Sequence, residues 1–561
     1  MNLLKFLWNN SRKLVVVAIV TSIVCGLATA GLVACIHAAL SNAASVPGRI
    51  AWGFTGLCAL SLLSGIVAQV ILVHISQGAI YDLRMRLSRQ ILSTRLRDLE
   101  RIGPHKLLSS LTDDIMALSY GLLAVPIISV QVMIAVGCLV YLGYISLPLL
   151  GVIVGFLAAA MVSYWIPSSV AIKRLEKARE QQDFMFKHFR ALTEGAKELK
   201  INSGRRHAFF HDVFHPTAET YRRQNVIGFS IYAAAANWGY LSFFLMIGVV
   251  IFVLPAFLKM DADLLTGATL ILLYLRSPLE LIFSMVPELA RSQIALKKVE
   301  KLGIDLSAPD DRTLDKAAHT DTESGHRLEL RGVSYSFDHE ESHHFQLGPL
   351  NASFRQGETV MIIGGNGSGK STLVKLLAGL YAPDGGEVLW DGCAVNDANR
   401  DDFRQNFAAV FSDFFLFETL LGMPVEGLDA RAKEHLRRLQ LEHKVRIEGG
   451  RFSTLNLSQG QRKRLALLTA FLEDRPFYVF DEWAADQDPY FKGIFYTQIL
   501  PALKEKGKGV ICITHDEKYF HLSDRLIKLD CGKIEDVREA VDIRFNDEGV
   551  MIHDTRKSVS S

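Results

Sequence analysis

A glycine-rich segment in the second half of the chain has the composition of a phosphate-binding loop. Residues 364–371 read GGNGSGKS, which matches the pattern G-x-x-x-x-G-K-[ST]. The run ETVMIIG before it predicts a buried strand, and the run TLVKLLAGL after it predicts a helix. Backbone N–H groups of such a loop surround phosphate oxygens, and the helix N-terminus adds positive potential. This order of elements favours phosphate binding over a chance match in an ordinary turn.

Two side chains of this loop have separate expected roles. Lys370 should reach the β- and γ-phosphates of a nucleoside triphosphate, and Ser371 should ligate Mg²⁺. The residues expected to contact the nucleotide here are Gly364, Gly365, Asn366, Gly367, Ser368, Gly369, Lys370, Ser371 and Thr372.

Two adjacent carboxylates follow another apolar strand pattern. Residues 477–482 read FYVFDE, so Asp481 and Glu482 stand at the end of an expected strand. Asp481 would hold Mg²⁺, directly or through water, and Glu482 would polarise the attacking water. Many strands end in acidic residues, so this pattern alone is weak evidence for a metal site. It is stronger evidence here because it follows a phosphate-binding loop in the sequence.

Two further patterns are not diagnostic by themselves. The sequence LSQGQR at 457–462 is typical of a helix start, with Ser458 as the N-cap. It lies between the phosphate loop and the paired acids. His515 directly follows the apolar strand pattern GVICIT, where a histidine usually has a structural role.

The chain that must position these groups is long and apolar. It has 561 residues, of which 49% are hydrophobic and 21% charged, and its mean hydropathy is +0.20. This length exceeds one soluble domain, and the apolar content excludes a disordered chain. The net charge of +2 gives no signal for nucleic-acid binding. The seven cysteines form no C-x-x-C pair, so neither a disulfide framework nor a zinc motif is indicated.

The long apolar runs are concentrated in residues 1–290. Each supplies the roughly 20 residues needed to cross a hydrocarbon core about 30 Å thick. Six such runs in one half of a chain are not the pattern of a soluble protein. The predicted spans are at about 14–40, 52–77, 119–145, 147–170, 227–258 and 264–288.

Basic residues between the spans predict their orientation. The segments 81–117 and 172–225 are rich in Lys and Arg, whereas the three short intervening loops contribute only Arg49 and Lys259. An excess of basic residues marks cytoplasmic loops. We therefore expect a multi-pass protein with both termini in the cytoplasm.

Polarity also divides the chain into domains. Residues 305–326 are polar without an apolar period, which is typical of a linker. Strand and helix patterns alternate from Arg327 onward, which predicts an α/β domain. We expect a transmembrane domain at 1–304, a nucleotide-binding domain at 327–547 and a polar tail at 548–561.

The ordered set of motifs resembles the nucleotide-binding domain of ATP-binding cassette (ABC) transporters. Six spans followed by one cassette is the layout of a half-exporter in that family, so the resemblance covers essentially the whole chain. It implies a six-helix all-α transmembrane domain followed by an α/β P-loop domain. It also implies ATP and Mg²⁺ as cofactors, and ATP hydrolysis coupled to transport.

The same resemblance implies roles for residues outside the phosphate loop. Ser458, Gly460 and Gln461 belong to the signature motif, which in the family contacts the ATP held by the opposite subunit. Phe337 lies where the family places an aromatic ring on adenine, with Tyr335 as the weaker choice.

Asp488 matches the family's D-loop aspartate, and His515 matches the switch histidine that contacts the γ-phosphate. Glu482 matches the catalytic glutamate.

Three positions depart from the family pattern. Ser412 stands where the family usually has a glutamine that reaches the metal site, and a serine is shorter. Asp413, beside it, is therefore a candidate Mg²⁺ ligand. Gln459 replaces a common glycine of the signature, and Trp483 stands where proline is frequent.

The segments VFSDFFLF, LSQGQRKR and DEWAADQDP are similar to the bacterial cyclic-peptide exporter branch. That similarity implies export of a cyclic or lasso peptide, a lipopeptide or a peptide siderophore across the bacterial inner membrane. A multidrug or lipid exporter of the same fold stays open as the alternative. The six spans disfavour a soluble cassette ATPase, and their fusion to the cassette disfavours an importer.

The family's layout also implies partners. They are a second copy of the chain, with a heterodimer as the alternative, a peptide-like substrate and membrane lipid. Nucleic acid is not among them.

Overall fold

The protein is described here by a computed structural model covering residues 12–41, 48–257, 260–305, 325–337, 345–424 and 426–539. The expected tail at 548–561 and most of the expected linker at 305–326 lie outside these residues. Contacts divide the chain into two compact units. The first comprises Met1–Ser88 and His105–Ile304, and the second comprises Arg89–Pro104 and Asp305–Ser561.

Helices make up the first unit, and the segment 89–104 of the second unit is mostly helical too. The helices that precede the sheets are α1 (Arg12–Ser41), α2 (Gly48–Ser93), α3 (Leu96–Ile102), α4 (Pro104–Ser109), α5 (Ile115–Ile145), α6 (Leu147–Glu194), α7 (Ala196–Ile201), α8 (Ser203–Ala208), α9 (His215–Gly248) and α10 (Ala262–Asp305). Among them, α2 and α6 have 46 and 48 residues. Both are longer than a membrane crossing requires, so they extend into the basic segments seen in the sequence.

Six helical stretches of the described residues are long and apolar enough to cross a membrane. Each corresponds to one of the six spans predicted from the sequence, so that prediction is confirmed. The stretches are Arg12–Leu40, Gly48–Ser93, Lys106–Ile145, Leu147–Glu194, Ser203–Ala256 and Ala262–Met285.

Helices α1 and α5 approach each other closely at two glycines. A Cβ atom on Gly26 would lie 2.5 Å from the carbonyl carbon of Met133, and one on Gly137 would lie 2.9 Å from the carbonyl oxygen of Gly26. Lipid is as apolar as the side chains, so helices in a membrane associate through close packing at small residues. These two glycines therefore allow the contact between α1 and α5.

The second unit is an α/β domain, as the alternating pattern predicted. Its strands are β1 (Arg327–Phe337), β2 (Phe345–Arg355), β3 (Thr359–Ile363), β4 (Gly385–Trp390), β5 (Cys393–Ala394), β6 (Phe407–Val410), β7 (Ile447–Glu448), β8 (Arg451–Phe452), β9 (Phe477–Asp481), β10 (Gly509–Ile513), β11 (Arg525–Asp530) and β12 (Lys533–Glu539). Its helices after β3 are α11 (Lys370–Leu377), α12 (Arg400–Arg404), α13 (Leu428–Arg438), α14 (Gln459–Glu473), α15 (Pro489–Ile494) and α16 (Leu500–Glu505).

One six-stranded sheet positions the residues of interest. Its strand order is β12-β11-β3-β10-β9-β6, and all neighbours are parallel except β11 and β12. Strands β9 and β10 are buried along their whole length, as expected for parallel strands covered on both faces. The carboxyl ends of β3, β6, β9 and β10 meet at one edge, where open α/β sheets bind ligands. A four-stranded antiparallel sheet, ordered β2-β1-β4-β5, completes the unit with a short β7-β8 pair.

We predict that Gly26→Ala destabilises the protein by about 1–3 kcal/mol, because the added methyl group must displace the backbone of α5. The measurement is the thermal unfolding midpoint of the purified protein in detergent. Gly53→Ala is the matched control, since a Cβ at Gly53 in α2 meets nothing within 4 Å. Equal midpoints for the two variants would contradict the close approach of α1 and α5.

Candidate functional site

The loop between β3 and α11 requires glycine at two positions. Gly364 and Gly369 have φ angles of 153° and 99°. A Cβ atom on Gly364 would collide with the carbonyl oxygen of Leu529, and one on Gly369 would lie 2.8 Å from the side chain of Leu347. The two glycines therefore set the tight loop whose backbone N–H groups bind an anion in this motif.

Two polar side chains of the loop fit a phosphate ligand. The Lys370 ammonium is buried and donates to the carbonyl oxygens of Gly364 at 2.8 Å and Gly365 at 3.0 Å. The Ser368 hydroxyl is buried and has no hydrogen-bond partner among the described residues. A buried cation and an unsatisfied hydroxyl in one glycine loop are the chemistry that phosphate oxygens satisfy.

Three oxygen-bearing side chains meet at the end of β9. The Asp481 carboxylate is 2% exposed. Its Oδ1 lies 3.4 Å from the Ser371 hydroxyl and its Oδ2 lies 3.3 Å from the Ser412 hydroxyl. Burial raises the pKa of Asp481, and the negative charges of Glu482 and Asp413 add to that rise. Oxygen ligands around a carboxylate suit Mg²⁺, so these residues fit the expected metal.

Ser412 contacts Asp481 although its side chain is shorter than the glutamine usual at this position. Strand β6 runs parallel to β9, with Val410 opposite Phe480, so the residues after both strands lie side by side. The serine hydroxyl therefore reaches the carboxylate without a longer side chain. Asp413 makes no hydrogen bond to Asp481 in the described part of the chain and affects it through charge.

Glu482 and His515 are brought together by the neighbouring strands β9 and β10. Glu482 Oε1 lies 3.3 Å from His515 Nε2. The residues on both sides of His515 are fixed by Tyr496, whose hydroxyl lies 2.6 Å from the Thr514 hydroxyl and donates to Asp516 at 2.9 Å. His515 and Glu482 therefore face each other, and hydrogen bonds hold the residues that flank His515.

The signature segment begins helix α14, which confirms the helix-start prediction. The Ser458 hydroxyl accepts from the N–H of Gln461, and the Gln461 side chain accepts from the N–H of Ser458. This reciprocal pair is a capping box. Among the described residues, no hydrogen bond joins Ser458, Gly460 or Gln461 to the phosphate loop of the same chain.

Asp488 caps helix α15 and is bound to the signature helix. Its Oδ1 accepts from the N–H of Phe491 at 2.9 Å, and its Oδ2 accepts from Arg464 at 2.5 Å. The Phe491 hydrogen bond, with the charge of Arg464, lowers the pKa of Asp488. The neighbouring Gln487 donates to the carbonyl of Gly460 at 3.0 Å. The D-loop and the signature segment are therefore connected within one chain.

Of the two aromatic residues considered for stacking on adenine, Tyr335 is covered by other side chains. Tyr335 is 1% exposed, and Tyr381 stacks on one face at 4.8 Å between ring centroids while the Arg97 guanidinium lies 4.9 Å from the ring centroid. Burial raises the pKa of Tyr335 to about 12. Tyr335 therefore has no open face for a base. Phe337 is the last residue of β1, opposite Phe345, and remains the candidate.

The segment 89–104 makes contacts that the sequence did not reveal. The Glu100 carboxylate accepts from the Tyr381 hydroxyl and, at 2.9 Å, from the Lys375 ammonium, and Lys375 lies on the helix that follows the phosphate loop. Arg97 donates to Asp384 at 2.7 Å. The segment lies within the range 1–304 expected to form the transmembrane domain, and contacts between residues nearly 300 positions apart leave no local pattern in the sequence.

Comparison with known proteins adds family matches over both units. Residues 347–485 match the model "ABC transporter", and residues 14–278 match "ABC transporter transmembrane region". "ATP-binding protein SyrD" of Pseudomonas syringae pv. syringae is 36% identical, over 96% of this chain and 97% of that protein. "ATP-dependent lipid A-core flippase" of Dechloromonas aromatica is 28% identical, over 64% of this chain and 63% of that protein.

A solved structure shares the fold over most of the chain. It is described as "Structure of a bacterial Atm1-family ABC exporter with ATP bound" and superposes with a TM-score of 0.73. The match covers 95% of this chain and 96% of that chain at 16% sequence identity.

We predict that Ser412→Ala raises the Mg²⁺ concentration needed for half-maximal ATP hydrolysis by about tenfold, because Asp481 loses a hydrogen bond that orients it. Asp413→Ala is the matched control and should change this concentration less. The measurement is a Mg²⁺ titration of ATPase activity at fixed ATP. A larger shift for Asp413→Ala would make the aspartate, rather than the serine, the residue that supports the metal.

Proposed function

Because this chain belongs to the ABC transporter family, we propose that it couples ATP hydrolysis to the export of a peptide-like compound across a bacterial inner membrane. The observation that carries this proposal is the convergence of the phosphate loop, Asp481, Glu482 and His515 at one sheet edge of a chain with six membrane-spanning helices. The basic segments between the spans support cytoplasmic termini and a cytoplasmic cassette.

The roles proposed for the nucleotide-binding residues are those of the family's motifs, together with the contacts described above. The amides of the loop and the Lys370 ammonium hold the β- and γ-phosphates, and Phe337 stacks on the base. Ser371 and Asp481 hold Mg²⁺, which when bound withdraws charge from the phosphate oxygens. Ser412 orients the carboxylate of Asp481 by its hydrogen bond. These residues bind and align ATP, and other groups activate the water molecule that attacks it.

Glu482 is the proposed catalytic base. It directly follows the metal-binding Asp481, so its carboxylate is carried to the phosphate end of the site. His515 lies 3.3 Å from Glu482 Oε1 and holds the carboxylate in place while contacting the γ-phosphate. A carboxylate oriented in this way accepts a proton from the attacking water as the water approaches the phosphorus.

A second copy of the chain completes each site in this proposal. The signature residues Ser458, Gly460 and Gln461 make no hydrogen bond to their own phosphate loop within the described residues. In a head-to-tail dimer of cassettes they face the ATP of the partner instead. A glutamate is present at 482, so two identical sites would both be competent, which favours a homodimer.

Several observations support a peptide-like substrate. The segments VFSDFFLF, LSQGQRKR and DEWAADQDP are similar to the bacterial cyclic-peptide exporter branch. The relative with 36% identity, named as an ATP-binding protein, aligns along nearly the full length of the chain. Arg276 and Glu280 lie in the sixth span, and ionisable groups inside spans usually line a transport path. The flippase relatives favour lipid export as the second candidate.

We predict that Glu482→Gln lowers the turnover number of ATP hydrolysis by at least about a hundredfold, because the amide cannot accept the proton of water. Binding of a non-hydrolysable ATP analogue should stay within about twofold of the unmutated protein, since the phosphate loop is intact. Lys370→Ala is the contrasting variant and should weaken that binding. Turnover of Glu482→Gln near the unmutated rate would remove Glu482 from the catalytic role.

We predict that inverted membrane vesicles containing the protein accumulate a cyclic or lasso peptide when ATP is supplied. The carboxyl group of Glu280 in the sixth span offers a polar contact for such a substrate, and Glu280→Ala should lower uptake without lowering basal ATPase activity. Vesicles with Glu482→Gln control for leakage. Uptake or ATPase stimulation by lipid A analogues, with none by peptides, would support the lipid exporter instead.

A further inference from the structure

A buried lysine joins the signature helix to the turn that carries Glu482. Lys463 lies in α14 and is 2% exposed. Its ammonium donates to the backbone carbonyl of Glu482 at 2.9 Å and lies 2.7 Å from the carboxylate of Asp486. One side chain therefore binds both ends of the turn 482–486.

A second hydrogen bond runs in the opposite direction between the same two elements. The indole N–H of Trp483 donates to the backbone carbonyl of Lys463 at 2.9 Å. Trp483 is buried and stacks on Phe495 at 4.4 Å between ring centroids. The turn is thus attached to α14 at two points and cannot shift without breaking one of them.

The backbone of Glu482 needs such support. Its φ angle is 50°, in the left-handed region that residues with a Cβ atom rarely adopt. Such a conformation persists where the surroundings fix it, often at functional sites. The ammonium of Lys463 binds the carbonyl group of this same residue, and so fixes the peptide plane that follows Glu482. The direction of the carboxylate depends on that plane.

We propose that Lys463 is a positioning residue for ATP hydrolysis, holding Glu482 in the backbone conformation from which its carboxylate can act on water. The inference rests on the catalytic role proposed for Glu482. Lys463 donates to the turn and not to the phosphate loop, so it orients the glutamate without holding the nucleotide. Asp486 is 47% exposed and balances the buried charge of the ammonium.

The test is the steady-state kinetics of Lys463→Met in the full-length protein in lipid vesicles. We expect the turnover number to fall by about tenfold to a hundredfold, because a small displacement of a catalytic group has an effect of this size. The KM for ATP and the affinity for a non-hydrolysable analogue should change by less than about twofold. Lys463→Gln keeps a donor for the Glu482 carbonyl and should recover part of the lost turnover.

Lys508→Met is a matched control for the loss of a lysine that contacts both a carboxylate and a backbone carbonyl group. The Lys508 ammonium lies 2.9 Å from the carboxylate of Asp474 and 3.3 Å from its backbone carbonyl, and Asp474 also has a positive φ, of 48°. Asp474 follows the opposite end of α14, away from Glu482. This variant removes the same kind of interaction, so it should lower the unfolding midpoint but leave turnover unchanged.

The possible results distinguish the positioning role of Lys463 from the catalytic role of Glu482. Turnover of Lys463→Met within about twofold of the unmutated protein would overturn the inference. An equal loss in Lys508→Met would also overturn it, because the effect would then be one of general stability. A raised KM with unchanged turnover would move Lys463 to nucleotide binding. If Glu482→Gln still hydrolyses ATP near the unmutated rate, the catalytic role proposed for Glu482 is wrong, whatever the result for Lys463→Met.

Discussion

The parallel ladder of β3, β10 and β9 is the constraint on which the rest of the site depends. Ile513 in β10 pairs with Ile362 in β3 on one side and with Asp481 in β9 on the other. This row of residues stands at the edge of the sheet, so the glycine loop, Glu482 and His515 all begin within two or three residues of it. A shift of one strand by a single residue would move its side chains to the opposite face of the sheet and separate these groups.

Burial of charge makes the arrangement sensitive to small changes. The described residues of the site include three buried ionisable groups, Lys370, Lys463 and Asp481, with 6%, 2% and 2% exposure. A buried charge is costly unless it is paired and hydrogen-bonded. Lys370 is satisfied by loop carbonyls, Lys463 by Glu482 and Asp486, and Asp481 by two serine hydroxyls. Burial raises the pKa of Asp481, and the negative charges of Glu482 and Asp413 raise it further.

The sequence allowed the phosphate loop, the strand ending at Asp481 and the six spans to be predicted, because each is a local pattern of spacing or hydropathy. Contacts between distant segments left no such pattern. The length of Ser412 alone does not show that it reaches Asp481, since nothing in the sequence places the end of β6 beside β9. Glu100 lies in a basic segment of the predicted membrane domain, although its partners Tyr381 and Lys375 lie in the nucleotide-binding domain. Lys463 carried no signal at all, because a lysine in a helix is usually exposed.

The position of Lys463 in α14 gives the signature segment a second role. Helix α14 begins at Gln459 after its cap Ser458, and Lys463 lies little more than one turn further along. If the exposed end of this helix binds the ATP of a partner subunit, any shift of the helix there acts on Lys463 as well. The ammonium and the Trp483 hydrogen bond then carry that shift to the backbone of Glu482. Hydrolysis at one nucleotide would in this way depend on whether the other is bound, through a rigid helix and two hydrogen bonds.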